Sequence, residues 1–177
     1  MRQLVILLFV GFLVTCRSKD TVQPTPTPGN TVTISTDPTN WPAIKLNTAY
    51  TIKFPSGYEG EGAVGFEGLS FGKNRIDKRA AFSYSFCGPL TCNEYGNPLF
   101  GGASTSVTYN GQTLDKSITL MQGSQTLGIF YYSVAPKSLG LLYLSEKGQL
   151  KESLNVAFDV EVQAEVLAII KTVRPTL

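Results

Sequence analysis

The sequence predicts a mainly β protein: an antiparallel two-layer β-sandwich-like domain with an α-helix at its C-terminus. Several segments of five to eight residues alternate apolar and polar side chains, as strands do when one face is buried. Seventeen glycines and ten prolines are spread through the chain, which favours turns between short strands. Near the C-terminus the apolar period changes to that of a helix.

The first three predicted strands share this alternation and cover residues 31–35, 49–54 and 80–86. Their larger side chains fall on one face of each strand: Val32 and Ile34; Tyr50, Ile52 and Phe54; Phe82, Tyr84 and Phe86. The run Pro55-Ser56-Gly57 ends the second strand, because proline and glycine interrupt strand pairing.

The second half of the chain reads as a series of hairpins. Two are predicted from paired strands, residues 117–121 with 126–133 around Gly123-Ser124, and residues 140–144 with 151–158 around residues 146–149. Asn110-Gly111, after residues 107–109, is a third turn signal. About eight or nine strands at this spacing are typical of a sandwich.

Residues 159–173 carry two competing patterns. One face of a helix would hold Val162, Val166, Ile169, Ile170 and Val173. Strict alternation from Leu154 to Val162 instead favours a longer strand. We choose the helix because Glu, Gln, Ala and Leu fill the positions between, with Asp159 as a candidate cap and Pro175 limiting the helix.

Composition excludes several classes of function. Fifteen Lys and Arg against thirteen Asp and Glu give a net charge of +2, so nothing predicts a nucleic-acid partner. The chain has no histidine, which excludes Ser–His–Asp and Cys–His catalysis in their usual forms and histidine-ligated zinc or copper sites. We expect no cofactor and a single domain over residues 31–177.

Residues 1–15 have the features of a secretory signal: Arg2 precedes an apolar run from Leu4 to Val14 that is too short to span a bilayer comfortably. Leu13-Val14-Thr15-Cys16 resembles the lipobox of bacterial lipoproteins, although Thr15 replaces the usual Gly, Ala or Ser. This resemblance implies that Cys16 becomes the acylated N-terminus and holds the protein at a membrane of the cell envelope. The alternative is an ordinary cleaved signal with a spare cysteine.

Residues 16–30 are predicted to be a linker behind the acylated cysteine. The charged tract from Arg17 to Asp20 looks like the surface-export signals of lipoproteins from the Bacteroidota, which implies the outer membrane and leaves its surface and periplasmic faces open. Pro24, Pro26 and Pro28 alternate with threonines and favour an extended polyproline II spacer.

Cys87 and Cys92 enclose a Gly-Pro turn, and two nearby thiols in an exported protein usually oxidise, so we predict a structural disulfide. Redox and metal roles are the alternatives. Clustered carboxylates in a glycine-rich stretch make weak calcium candidates: Glu59, Glu61, Glu67 and Asp77. The simpler interpretation of that stretch is a long connection with solvated charges.

Aromatic residues near loops suggest a binding surface for a protein or a glycan, because aromatic faces bind both. The candidates are Trp41, Tyr58, Asn93, Glu94 and Tyr95. The sequence thus favours a lipid-anchored envelope protein that acts as a non-enzymatic binding or accessory module. A small envelope hydrolase with paired carboxylates is the alternative.

Overall fold

The computed structural model describes residues 33–46, 49–60, 70–85, 106–146 and 149–176, which belong to one compact unit, Val32–Leu177. As predicted, this part of the chain is mainly β with one helix at the C-terminus. Its strands are β1 (Ala43–Lys45), β2 (Tyr50–Lys53), β3 (Tyr58–Glu59), β4 (Ser70–Arg75), β5 (Ala80–Ser85), β6 (Val107–Tyr109), β7 (Gln112–Leu114), β8 (Lys116–Gln122), β9 (Gln125–Tyr132), β10 (Lys137–Glu146), β11 (Gln149–Asp159) and β12 (Arg174–Pro175). A 3-10 turn (Val160–Val162) leads into α1 (Gln163–Ile170).

Antiparallel pairing joins these strands into three sheets. The largest has seven strands in the order β3-β4-β5-β11-β10-β9-β8. A three-stranded sheet has the order β1-β2-β12, and β6 and β7 form a separate hairpin. None of the described helices has the length and apolar character needed to cross a bilayer.

The predicted hairpins are confirmed. β8 and β9 pair around Gly123-Ser124. β10 and β11 pair along their length, with Lys137 opposite Asp159 at one end and Glu146 opposite Gln149 at the other. The turn between β6 and β7 has φ of +48° at Asn110 and +75° at Gly111. A two-residue hairpin turn requires positive φ at both positions, which asparagine and glycine tolerate best.

The main core lies on one face of the seven-stranded sheet, and α1 and the three-stranded sheet cover it. The sheet supplies Phe82, Phe130, Leu142, Leu154, Val156 and Phe158, and the covering layer supplies Ile52, Phe54, Val166, Ile169 and Ile170. On the opposite face, Val107 and Leu114 of the β6–β7 hairpin pack on Tyr131, Leu141 and Tyr143. The arrangement is sandwich-like, because neighbouring residues of β9 and β10 point into different cores.

Both patterns at the C-terminus are used, one after the other. β11 continues to Asp159, and the helical period takes over in the 3-10 turn and α1. The predicted cap was wrong, since the Asp159 side chain makes no capping hydrogen bond. Asp159 is still a strand residue with φ −81° and ψ 148°, and its N–H donates to the Arg79 carbonyl at 2.8 Å.

The strand predicted over residues 31–35 is not present in the part that is described, residues 33–35. There the backbone bonds to side chains instead of a neighbouring strand: the Ser35 N–H donates to Glu165, and the Thr33 carbonyl accepts from Arg75. The alternation of Val32 and Ile34 therefore did not decide the conformation.

Candidate functional site

A buried carboxylate organises the most unusual polar site of the described residues. Glu165, in the first turn of α1, is only 2% exposed. Its Oε1 accepts from the Tyr58 hydroxyl at 3.0 Å and from Arg75 Nε at 2.9 Å, and its Oε2 accepts from the Ser35 N–H at 2.8 Å. Three donors around one ion satisfy the requirement that a buried charge be paired and hydrogen-bonded.

Arg75 connects Glu165 to the surface. Its guanidinium also pairs with Asp77, and Nη2 donates to the Thr33 carbonyl at 2.6 Å. Asp77 is exposed and accepts from the Arg79 N–H at 3.1 Å. We call Glu165, Arg75, Tyr58 and Asp77 the Glu165 cluster.

Local backbone geometry places the members of this cluster. Tyr58 of β3 is the cross-strand partner of Arg75 in β4, so both side chains lie on the face that α1 covers. Gly57, with φ of +96°, makes the turn into β3, and its carbonyl accepts from the Ile76 N–H at 2.9 Å. The Tyr58 ring is fixed by Phe54 and Phe82, whose centroids lie 5.2 and 5.9 Å away.

Burial and neighbouring charges raise the pKa values of two members of the cluster, Tyr58 and Arg75. Burial, followed by the charge of Glu165 and the hydrogen bond to it, raises the pKa of Tyr58 well above its ordinary value of 10.0. Burial works against the charge on Arg75, but the hydrogen bond and charge of Glu165 and the charge of Asp77 outweigh it, so the pKa of Arg75 is raised. Because both pKa values are raised, Arg75 and Tyr58 keep their protons over the physiological range.

Residues 33–36, which we call the strap, approach α1 through this cluster. They belong to no strand, and each is exposed or half-buried. Beyond the strap, Asp37 Oδ1 accepts from the Thr39 N–H at 3.0 Å, and the Trp41 N–H donates to the Pro38 carbonyl at 3.3 Å. Trp41 itself lies in the main core with 8% exposure.

A groove of about 410 Å³ lies between the strap and the outer face of α1. Thr36 of the strap and Pro38, two residues further on, form one side, and Ala164, Leu167, Ala168 and Lys171 form its helix side. These helix positions are spaced i, i+3, i+4 and i+7, so they share one face. α1 is thus apolar both toward the core and toward the groove.

Of the predicted site residues that the structure describes, Tyr58 and Asp77 come together through Arg75 and Glu165, and Trp41 and Glu59 take no part in that cluster. Trp41 is buried in the core, and Tyr58 is half-buried and bonded to Glu165. Glu59 is exposed in β3 and Asp77 pairs with Arg75, and the described residues contain no group of three or more His, Cys, Asp or Glu that could hold a metal ion. The other predicted positions lie outside the described residues: the signal and linker (residues 1–30, with Cys16), Glu61, Glu67, Cys87, Cys92, Asn93, Glu94 and Tyr95.

Sequence reasoning did not identify Glu165 or Arg75 as a site. A signal existed for Glu165, which lies three residues after Val162 and four before Ile169, within the apolar stripe of the predicted helix. A charge in such a stripe needs a buried partner. Nothing local identified Arg75 as that partner, because 90 positions separate the two residues.

Comparison of the chain with protein-family models, curated proteins and solved structures gave no match. The site is therefore interpreted from its own geometry.

Proposed function

We propose that this protein is a lipid-anchored protein of the cell envelope, at the outer membrane, whose β-rich body is a non-enzymatic binding or accessory module for a protein or a glycan. The observation that carries the anchor is the position of Cys16, which follows the apolar run from Leu4 to Val14 after the single residue Thr15. An acyl chain gains about 0.8 kcal/mol for each buried CH₂, so acylation at that position gives a durable attachment once more than one chain is present.

The groove beside α1 supports a binding role for the body. It is open, its helix side is mostly apolar, and Lys171 provides a cation at its edge. Ligand sites commonly combine apolar walls with a few polar groups that orient the ligand.

The buried carboxylate supports binding rather than catalysis. Glu165 is enclosed by donors of its own chain and is 2% exposed, whereas an acid or base must reach a substrate proton. Among the described carboxylates, Glu59 is exposed and Asp77 is engaged by Arg75. Within the parts of the chain that the structure describes, no particular contact favours the hydrolase alternative.

The anchor is tested by replacing Cys16 with alanine in the full chain and following detergent-phase partitioning and intact mass. We expect the wild-type protein to enter the detergent phase with an acyl-mass increment, and Cys16→Ala to lose both. Cys87→Ala is the matched control and should still partition with the detergent. A wild-type protein that is soluble and unacylated, and unchanged by Cys16→Ala, would refute the anchor.

The binding role needs a separate measurement, because an anchored protein could still be inert. A Leu167→Asp change should abolish capture of an envelope protein or glycan by the purified protein, since it places a charge on the apolar side of the groove. Met121→Asp alters an exposed apolar residue of β8 and is the control. Equal capture by wild type and Leu167→Asp would remove the groove from the proposal.

A further inference from the structure

The strap is attached to the body mainly by polar contacts at its N-terminal end. The Ser35 N–H binds Glu165 Oε2 at 2.8 Å, and the Thr33 carbonyl binds Arg75 Nη2 at 2.6 Å. Both partners belong to the Glu165 cluster, which is itself tied together by the Arg75–Glu165 contact at 2.9 Å. That ion pair lies within the body and includes no residue of the strap.

Little apolar burial adds to this attachment. Ile34, the largest apolar side chain of the strap, remains 36% exposed, and the strap does not pair with a strand. Segments with few buried apolar contacts open locally at a smaller free energy than the global unfolding of the domain. The strap fits that description, whereas the β10–β11 hairpin, with ten paired positions and several fully buried leucines, does not.

The opening would stop at a defined point. Asp37 bonds the backbone and the hydroxyl of Thr39, the latter at 2.5 Å, and Lys53 Nζ donates to the Pro38 carbonyl at 3.4 Å. Trp41 follows in the core. The turn from Asp37 to Trp41 can therefore remain as a hinge while residues 33–36 leave the surface.

We propose that the strap is a latch: it detaches from Glu165 and Arg75 as a unit while the β-body stays folded, and its detachment takes Thr36 away from the groove on α1. The latched form presents a groove between Thr36, Pro38 and the helix, and the open form uncovers more of the apolar face of Ala164, Leu167 and Ala168. The latch does not depend on the proposed anchor. In an anchored protein, however, the strap joins the linker to the body, so tension in the linker would act on it first.

Native-state hydrogen exchange of the full chain, read residue by residue with NMR at increasing low denaturant concentrations, tests the latch. We expect the wild-type Ser35 amide to exchange at least tenfold faster than the slowest β10–β11 amides, with almost no dependence on denaturant, because local opening exposes little surface. If the Ser35 amide exchanges at the same rate and with the same denaturant slope as those strand amides, the strap has no separate opening and the proposal is overturned.

Glu165→Gln tests the part played by the carboxylate. Glutamine keeps the shape but loses the charge and one acceptor, so we expect the Ser35 amide to exchange at least tenfold faster than in wild type and to retain its shallow denaturant slope. Glu161→Gln is the control, because Glu161 is exposed and makes only a long ion pair, 3.9 Å, with Arg79. This variant should change the exchange rate of the Ser35 amide less than twofold. A Glu165→Gln effect on Ser35 that only parallels the strand amides would count against the latch; if this variant does not fold, the wild-type slopes alone decide.

Discussion

At the scale of single residues, the dominant feature is the buried ion pair between Arg75 of β4 and Glu165 of α1. Arg75 has 11% of its side chain exposed and Glu165 has 2%, so removing either partner leaves a nearly buried charge. Such losses cost about 3–5 kcal/mol, more than the intact pair contributes relative to an apolar replacement. The pair is therefore better explained by what it positions, which is the strap on one side and Tyr58 on the other.

Tyr58 offers a pH test of this arrangement. Its pKa is raised in the folded state, while the unfolded chain titrates near 10.0, so above about pH 10 the unfolded state binds fewer protons than the folded state. The contribution of Tyr58 to the unfolding free energy should be fully present below that pH. Above it, the unfolding free energy should fall by at most about 1.4 kcal/mol per pH unit from this group. Denaturant unfolding at pH 8 to 11 measures the slope.

Tyr58→Phe should lower the unfolding free energy at pH 8 by about 1.5–3 kcal/mol, because it removes a hydrogen bond to a charged group. It should also flatten the alkaline slope. Burial raises the pKa of Tyr131 as well, without a carboxylate among the causes, so Tyr131→Phe should flatten the slope less. Equal alkaline slopes for wild type and Tyr58→Phe would contradict the role given to Glu165.

At the scale of elements, the sequence was informative where alternation and turn chemistry agreed. Two hairpins follow from period-two segments around Gly123-Ser124 and residues 146–149, and the turn signal Asn110-Gly111 lies at the turn of a third. β1, β3 and β12 have two or three residues, too few to show a period, and β4 has Gly72, Lys73 and Asn74 in its interior. These strands form because tertiary contacts favour them, and local propensity gave no sign of them.

A glycine in β9 shows how closely β9 and β10 approach each other. A Cβ on Gly128 would overlap the Tyr143 carbonyl oxygen and lie 2.9 Å from Leu144 Cδ2. Backbone cannot move aside as a flexible side chain can, so Gly128→Ala should cost about 1–3 kcal/mol in unfolding free energy. Chemical denaturation provides the measurement.

Gly72→Ala in β4 is the matched control, because nothing lies within 4 Å of its added Cβ and its φ is not in the left-handed region. That variant should be neutral, or more stable by up to about 1 kcal/mol, since alanine reduces the freedom of the unfolded chain. Equal losses from the two variants would show that any alanine weakens these strands and that the close approach at Gly128 is not the cause.

At the scale of the whole molecule, the adjacent strands β9 and β10 have a core on each of their faces. The two cores differ in how they are covered: α1 and three strands cover the main core, while two three-residue strands, β6 and β7, cover the other. A two-stranded hairpin is marginal by itself and depends on its side chains for attachment. We therefore expect the smaller core to loosen without unfolding the body.

Two leucines with no exposed surface allow a matched comparison, Leu114 in the smaller core and Leu142 in the main core. Leu142→Ala should lower the global unfolding free energy by about 2–5 kcal/mol, as expected for a large-to-small change in a packed core. Leu114→Ala removes the same atoms, but the unfolding free energy that it costs cannot exceed the amount that the β6–β7 hairpin contributes by packing on the sheet. The loss of global unfolding free energy should therefore be smaller than for Leu142→Ala. Hydrogen exchange should show the difference locally: Leu114→Ala should deprotect the β6–β7 amides and leave β10–β11 protected, because the covering hairpin opens by itself. An equal global loss from both variants, with protection falling together in all strands, would mean that the two cores unfold as one cooperative unit.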